Sequence, residues 1–474
     1  MNIKINLSGL LVIFSVLVCL TAIQKTLGQD KNNKPPNFII IFADDLGYGD
    51  LGVYGHPSIQ TPNLDQMAYE GQKWTNFYAA ASVCTPSRAA LLTGRLTVRS
   101  GMSSNKRRVL YPNSSRGLPA TEITLAEQLK EVGYKTACIG KWHLGHKEQY
   151  LPTNNGFDYY YGIPYSNDMD KVVDIPYWEY WKQPNDAIKT IHFNVPLMRD
   201  TEIIERPANQ NTITGRYTNE TISFIKKNKE NPFFIYLAHN LPHIPLFVSK
   251  EFKGRSKRGL YGDVLEEIDH GVGKIIATLK EEGLENNTIV VFTSDNGPWL
   301  SFKLNGGSAG VLRAGKGTTW EGGMREPGIF WGPGLIKPGL INGIGSTMDL
   351  FTTFSSLAGA KIPEDRIIDG YDLSETLLHG APSPRKKLLY YRGTDLYAVR
   401  LGDFKAHFIT QGEYGQFGKK EVHNPPILYN LSTDPEERFD IANENPKIIK
   451  AINSLISEHQ SKLVIGKDQL AEIE

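Results

Sequence analysis

Cys84 stands two residues before Pro86 and four before Arg88, in the run Cys-Thr-Pro-Ser-Arg-Ala-Ala-Leu-Leu-Thr-Gly-Arg that ends at Arg95. Proline suits the first turn of a helix, so the spacing predicts that Cys84 sits just before a helix N-terminus. Unpaired amides and the positive end of the helix dipole favour an anion there. Arg88 follows one turn later, where its planar fork could grip a tetrahedral oxyanion or hold residue 84. A lone cysteine in this place also fits a small buried residue beside a capped helix.

Four further places carry residues suited to acid–base or metal chemistry. They are Asp44 with Asp45, Lys141 with His143, His239 with His243, and Asp295 with Asn296. Each group follows a short β-favouring run, apolar at residues 38–42, 233–238 and 289–292 and mixed at 134–139, which resembles a second strand after a helix. Such continuous runs predict strands covered on both faces. Residues 124–132 and 263–282 have helical character, and Gly133 and Gly283 close them. Parallel α/β sheets place their ligand crevice at the carboxyl ends of the strands. Four strand ends with this chemistry therefore predict one site, although Asp45 and Asn296 also suit turns.

Beyond about residue 370 the texture changes. Residues 396–400 and 404–409 predict a hairpin, residues 427–431 a further strand, and residues 446–463 a helix. The expectation is a smaller antiparallel sheet with one helix, packed on the main domain. The expected boundaries are a leader at 1–28, a catalytic domain at 29–370 and a C-terminal subdomain at 371–474. In the leader, Lys4 precedes an apolar run at 10–20 and mostly small or polar residues to Gly28, the order of a secretory signal peptide. The apolar run is short for a membrane anchor. The mature protein is thus expected to be exported, periplasmic or secreted, with no membrane span after cleavage.

The 474 residues carry 52 basic and 51 acidic side chains, a balance that argues against a nucleic-acid partner. Three cysteines exclude a disulfide scaffold, and cleavage of the leader removes Cys19. A Cys84–Cys138 disulfide would be the default in an oxidising compartment. It would consume the candidate nucleophile, so Cys138 reads as a small buried strand residue.

The run from Cys84 to Arg95 resembles the signature of the formylglycine-dependent sulfatases at every fixed position. The segments at 37–50, Gly140-Lys-Trp-His-Leu-Gly145 and Ser294-Asp-Asn-Gly297 are also similar to that family. Residues 312–327, which include Lys316, are especially similar to its branch of arylsulfatase A and N-acetylgalactosamine-6-sulfatase. The resemblance implies an α/β, alkaline-phosphatase-like sandwich, with a large mostly parallel sheet between helices and the smaller C-terminal sheet. It implies a sulfuric ester hydrolase whose Cys84 is oxidised to formylglycine by a formylglycine-generating or anaerobic sulfatase-maturating enzyme. Asp44, Asp45, Asp295 and Asn296, with residue 84, match the family's ligands to one divalent cation. An all-oxygen side-chain set favours calcium or magnesium over zinc, and the resemblance favours calcium. Lys141 and Lys316 are implied to neutralise the sulfate and Arg88 to steady the hydrated aldehyde. His143 would take a proton from residue 84, and His243, with Lys316, would protonate the leaving oxygen. Asp295 could assist deprotonation, although metal duty limits its basicity. His239 is balanced between a structural and a functional role, while His56, His146 and His407 have no such support. For His407, on an expected strand of the small subdomain, approach to the substrate is the one role left open.

Substrate choice must come from less family-like segments. Residues 159–181 hold Tyr159, Tyr160, Tyr161, Tyr165, Tyr177, Trp178, Tyr180 and Trp181, with Asp168 and Asp170 between them. They predict either a buried aromatic cluster or a loop that offers flat apolar faces and polar groups to sugars. The expected substrate is a sulfated polysaccharide or its oligosaccharides: algal ulvan, carrageenan or fucoidan first, glycosaminoglycan next, in a bacterial context. The alternatives are a formylglycine phosphodiesterase or phosphonate monoester hydrolase, and an inactive binder of sulfated glycans.

Overall fold

The computed structural model describes residues 34–413 and 418–474, so the expected leader lies outside the described residues. Ten strands form the large sheet. They are β1 (Asn37–Ala43), β2 (Gln72–Tyr78), β3 (Lys135–Gly140), β4 (Tyr159–Gly162), β5 (Leu197–Arg199), β6 (Glu202–Glu205), β7 (Phe233–Ala238), β8 (Thr288–Ser294), β9 (Arg325–Trp331) and β10 (Gly339–Ser346). Their order is β10-β2-β9-β8-β1-β7-β3-β4-β5-β6. The central run β8-β1-β7-β3-β4 is parallel. Antiparallel β9 and the short β5 and β6 make the flanks mixed.

The apolar runs form central strands because both faces are covered. Along β1, Ile39 and Ile41 enter one core and Phe38, Ile40 and Phe42 the other, as the two-residue period of a strand requires. The first core is closed by α1 (Pro62–Glu70), α4 (Ile213–Asn228) and α5 (Leu260–Glu281). The second is closed by α2 (Cys84–Thr93), α3 (Leu125–Glu131) and α6 (Asp349–Leu357). α3 starts where a capping box allows it: Thr124 Oγ1 accepts from the Glu127 amide and the Glu127 carboxylate accepts from the Thr124 amide.

The aromatic run divides differently from a single loop. Tyr160 and Tyr161 lie on β4 and point into opposite cores, because β4 pairs with β3 and continues the parallel sheet. Residues 163–176 form a loop, and Tyr177–Tyr180 a single helical turn.

The C-terminal sheet is antiparallel and ordered as in sequence: β11 (Lys387–Arg392), β12 (Asp395–Leu401), β13 (Phe404–Thr410) and β14 (Glu421–Asn430). α7 (Pro446–Ser461) packs Ile452 against Val399, Ala406 and Leu428. Tyr390 and Ala398 of this sheet share a core with Tyr78 and Met324 of the main part, and residues 36–474 form one packed unit. Among the described residues no helix is long and apolar enough to cross a membrane.

Candidate active site

Adjacent strands end level with one another: Ala43 pairs with Ser294, Phe42 with Ala238, and Ala238 with Gly140. The next residues of β1, β3, β7 and β8 therefore converge on one crevice. α2 adds Cys84 as its first residue, after an extended Val83. Asp45 and His143 have φ of 64° and 60°, in the left-handed region that non-glycine residues rarely occupy. The Asp45 turn is held by its own amide, which donates to Asp295 Oδ1 at 3.2 Å, and by Asp295 N–H on Ala43 O at 3.1 Å.

Cys84 is buried and forms no disulfide. Its thiol donates to Asp44 Oδ1 at 3.4 Å, and Lys316 Nζ lies 3.6 Å from the sulfur. Burial and the Asp44 carboxylate push the thiol well above its usual range, against Lys141 and Lys316. The unmodified side chain therefore stays protonated and is a poor nucleophile. Cys138, inside β3, is also a buried free thiol.

Three cations face three carboxylates in this buried setting. Lys141 Nζ donates to Asp44 Oδ2 at 2.5 Å and to Ser166 Oγ at 3.1 Å. Lys316 Nζ donates to Asp45 Oδ2 at 2.8 Å and sits 4.4 Å over the Trp299 ring. Arg88 donates through Nε and Nη2 to Asp295 Oδ2 and through Nη1 to the Lys141 carbonyl. Its fork thus fixes Asp295 and the end of β3. Asp44 stays well below the carboxylate range because Lys141 and Arg88 outweigh its burial. Burial raises Asp45 to about 6 against the pull of Lys316. Burial and the Asp44 charge raise Asp295 to about 7.

The donor set of this cluster fits a hard cation. The ligating atoms of Asp44, Asp45, Cys84 and His243 lie within 4.8 Å of one another. Asn296 Nδ2 donates to Asp45 Oδ1 at 2.7 Å, while its buried Oδ1 has no partner. An unpaired buried carbonyl beside three carboxylates is what an oxygen-ligated divalent ion would satisfy.

The two histidines are held in defined tautomers by backbone carbonyls. His143 Nε2 lies 2.8 Å from Leu110 O, leaving its buried Nδ1 without a partner. Since a carbonyl only accepts, Nε2 carries the proton and Nδ1 the lone pair. Burial and Lys141 hold His143 well below the usual imidazole range. His243 Nδ1 faces the Ile244 carbonyl, and its Nε2 is 3.5 Å from Asp45 Oδ2. Burial and Lys316 likewise keep His243 uncharged.

Cys84, His143, His243, Lys316 and Trp299 line a cavity of about 400 Å³, together with Arg108, Asp168, Tyr177 and Trp178. That volume lies in the range of small-ligand sites. Arg88, Lys141, Asp295 and Asn296 are wholly buried beneath the lining residues.

The other histidines lie apart from the cavity. His239 is buried near Tyr217, with ring centroids 6.3 Å apart. His56 Nδ1 accepts from the Ser58 and Ile59 amides in a turn, and His146 is half-buried against Tyr165. His407 does not make the substrate contact left open for it. It is buried, its Nε2 lies 2.7 Å from Glu437 Oε1, and its ring packs on Trp320 at 4.3 Å. The face of β13 that carries it is covered by the main part, so it cannot reach the cavity. Ser166, Trp299 and Arg108 were missing from the sequence-based set. Trp299, two residues after the Ser294–Gly297 motif, had the most legible signal.

A family model described as "Sulfatase" matches residues 36–360, and one described as "C-terminal region of aryl-sulfatase" matches residues 383–474. The chain is 42% identical to N-acetylgalactosamine-6-sulfatase of Rattus norvegicus, over 92% of this chain and 88% of the relative. It is 41% identical to arylsulfatase A of Homo sapiens, over 89% and 87%. The crystal structure of PsFucS1 sulfatase from Pseudoalteromonas sp. has a TM-score of 0.80 at 30% identity, covering 94% of this chain and 93% of that one.

Proposed function

The chain belongs to the sulfatase family of sulfuric ester hydrolases, and from that premise we propose that it is an exported enzyme that removes sulfate from a sulfated polysaccharide or its oligosaccharides. The observation that carries this reading is the position of Cys84. It starts a helix at the cavity lining, between a carboxylate and a lysine, in a setting that suppresses the thiolate. A thiol so placed is a poor nucleophile as it stands. Oxidation to formylglycine by a maturating enzyme would supply a hydrated aldehyde whose hydroxyl attacks sulfur.

Asp44, Asp45, Asp295 and Asn296, with residue 84, would hold one calcium ion, which when bound supplies positive charge to orient and polarise a sulfate group. The remaining work falls to side chains of this chain. Lys316, kept charged by Asp45 despite its burial, binds the anion on the open side, and Lys141 fixes Asp44 from below. Arg88 holds Asp295 in place. His143, with its Nδ1 lone pair free, accepts a proton from a hydroxyl on residue 84. His243 is uncharged in the free protein, so it becomes a proton donor to the leaving oxygen only after an anionic substrate raises its affinity for protons. Until then Lys316 is the charged donor at this position.

The carbohydrate part of the reading is supported by Tyr177 and Trp178 on the cavity wall. Trp178 is 42% exposed and offers a flat face to a sugar ring. The N-acetylgalactosamine-6-sulfatase relative points the same way. The sulfatase relatives weigh against a phosphodiesterase or phosphonate monoester hydrolase. The complete set of expected side chains weighs against an inactive binder. Sulfate release from defined oligosaccharides of ulvan, carrageenan, fucoidan and glycosaminoglycans tests the proposal. Activity confined to aryl or steroid sulfates would overturn it.

A further inference from the structure

The cavity has a second polar feature that sulfate chemistry does not use. Asp168 lines the same space as Cys84 and Lys316. Its Oδ2 accepts from Tyr177 Oη at 3.1 Å, while its buried Oδ1 has no hydrogen-bond partner. We propose that Asp168 reads the sugar, Oδ1 accepting a hydrogen bond from a hydroxyl or amide N–H on the ring that carries the sulfate. This rests on the carbohydrate reading above and adds the residue and the ligand group that would give it specificity.

The loop holding Asp168 is built to fix it. Ser166 accepts from Lys141 Nζ, which ties the loop to the floor of the site. Asn167 Nδ2 donates to Gln210 Oε1 at 3.1 Å and to Pro245 O at 3.2 Å, and Asn167 O accepts from Gln210 Nε2 at 3.0 Å. The carboxylate is therefore held before substrate arrives, which keeps the ordering cost of binding small. Its charged neighbours are already engaged. Asp170 Oδ2 accepts from Tyr165 Oη and Arg206 Nη2, both at 2.7 Å. Lys171 Nζ donates to the Val173 and Ile175 carbonyls. Asn167 Oδ1 is also without a partner, but Asp168, unlike Asn167, lines the cavity.

A carboxylate oxygen can only accept, and leaving it buried and unpaired is costly. It selects a ligand that brings a donor. A sugar ring brings hydroxyls, and an acetamido sugar also an N–H, with Trp178 beside it to receive the ring's apolar face. A simple aryl sulfate brings no donor.

The test compares wild type, Asp168→Ala and Asp168→Asn on 4-nitrophenyl sulfate and three sugar sulfates. These are N-acetylgalactosamine 6-sulfate, galactose 6-sulfate and galactose 4-sulfate, scored on the one cleaved fastest. For Asp168→Ala, kcat/KM on that sugar should fall about 10- to 100-fold more than on the aryl sulfate, the size of a lost hydrogen bond to a charged group. Asp168→Asn, which keeps a neutral acceptor, should lie between. Equal falls on both substrates in both variants would overturn the inference and leave a structural role. A wild type that cleaves the aryl sulfate but no sugar would overturn the carbohydrate reading and the inference with it. A wild type active on neither sulfate class would overturn the enzymatic reading itself.

Discussion

Lys316 and His243 face the same cavity in different states of charge, and this separates their contributions. Asp45 keeps the lysine protonated, whereas burial and that same lysine keep the imidazole neutral. A proton donor to the leaving oxygen matters most when the leaving group is a poor one. His243→Ala should therefore lower kcat/KM on an alkyl or sugar sulfate by about 10²–10⁴-fold. On 4-nitrophenyl sulfate, whose leaving group needs little protonation, the loss should be much smaller. Equal losses on both would show that His243 positions rather than protonates. If His143 accepts the proton that frees residue 84 for the next cycle, His143→Ala should give a burst of alcohol followed by slow turnover, visible in stopped-flow traces.

Among the elements, β13 and the segment leading to Lys316 are joined by one carboxylate. Glu437 Oε2 accepts from the Glu321 amide at 2.7 Å, its Oε1 meets Lys405 Nζ at 3.0 Å and His407 Nε2 at 2.7 Å, and its carbonyl accepts from Arg313 Nη1 at 2.6 Å. The stretch from Arg313 to Glu321, which carries Lys316, is thus gripped at both ends by the C-terminal subdomain. Burial holds His407 down to about 4, with Lys405 adding to the effect and Glu437 opposing it. The folded imidazole is neutral, and the unfolded one takes up a proton below about 6.5. Its share of stability is thus complete above that pH and is lost as pH falls from about 6.5 towards 4. His407→Gln should flatten the acid limb, so that the melting temperature falls less between pH 7 and 4.5 than in wild type. Parallel slopes would contradict the buried neutral state. Strands β1, β7 and β8 were legible because burial on both faces leaves an unbroken apolar run, and β3 because a strand-like stretch follows a helix closed by Gly133. The residues just past their ends were legible because polar chemistry there has few other uses. β9 was not, since Arg325, Glu326 and Pro327 interrupt its pattern although the strand is buried. The role of His407 stayed open because alternation along a strand does not say which face another part of the chain covers. The tyrosines of β4 left a buried cluster and a binding loop both open, because aromatic residues serve cores and sugar sites equally well.

On the scale of the whole molecule, the fold buries three carboxylates and three cations together. Burial raises Asp45 to about 6 and Asp295 to about 7, and the unpaired Asn296 Oδ1 beside them suits an oxygen-bound divalent ion. A divalent ion bound only by the folded chain adds stability in proportion to the logarithm of its concentration. Chelation with EGTA should therefore lower both the melting temperature and sulfatase activity, and calcium should restore both better than magnesium. An unchanged melting curve would argue against a resident cation. The central claim, a sulfatase whose nucleophile is made by oxidising Cys84, is tested most directly by mass spectrometry of the tryptic peptide 74–88 from protein that releases sulfate. In the active fraction residue 84 should carry an aldehyde, –CHO in place of –CH₂SH, and Cys84→Ala should release no sulfate while keeping its fold. Full activity from a peptide bearing only the unmodified thiol, or from the alanine variant, would contradict it.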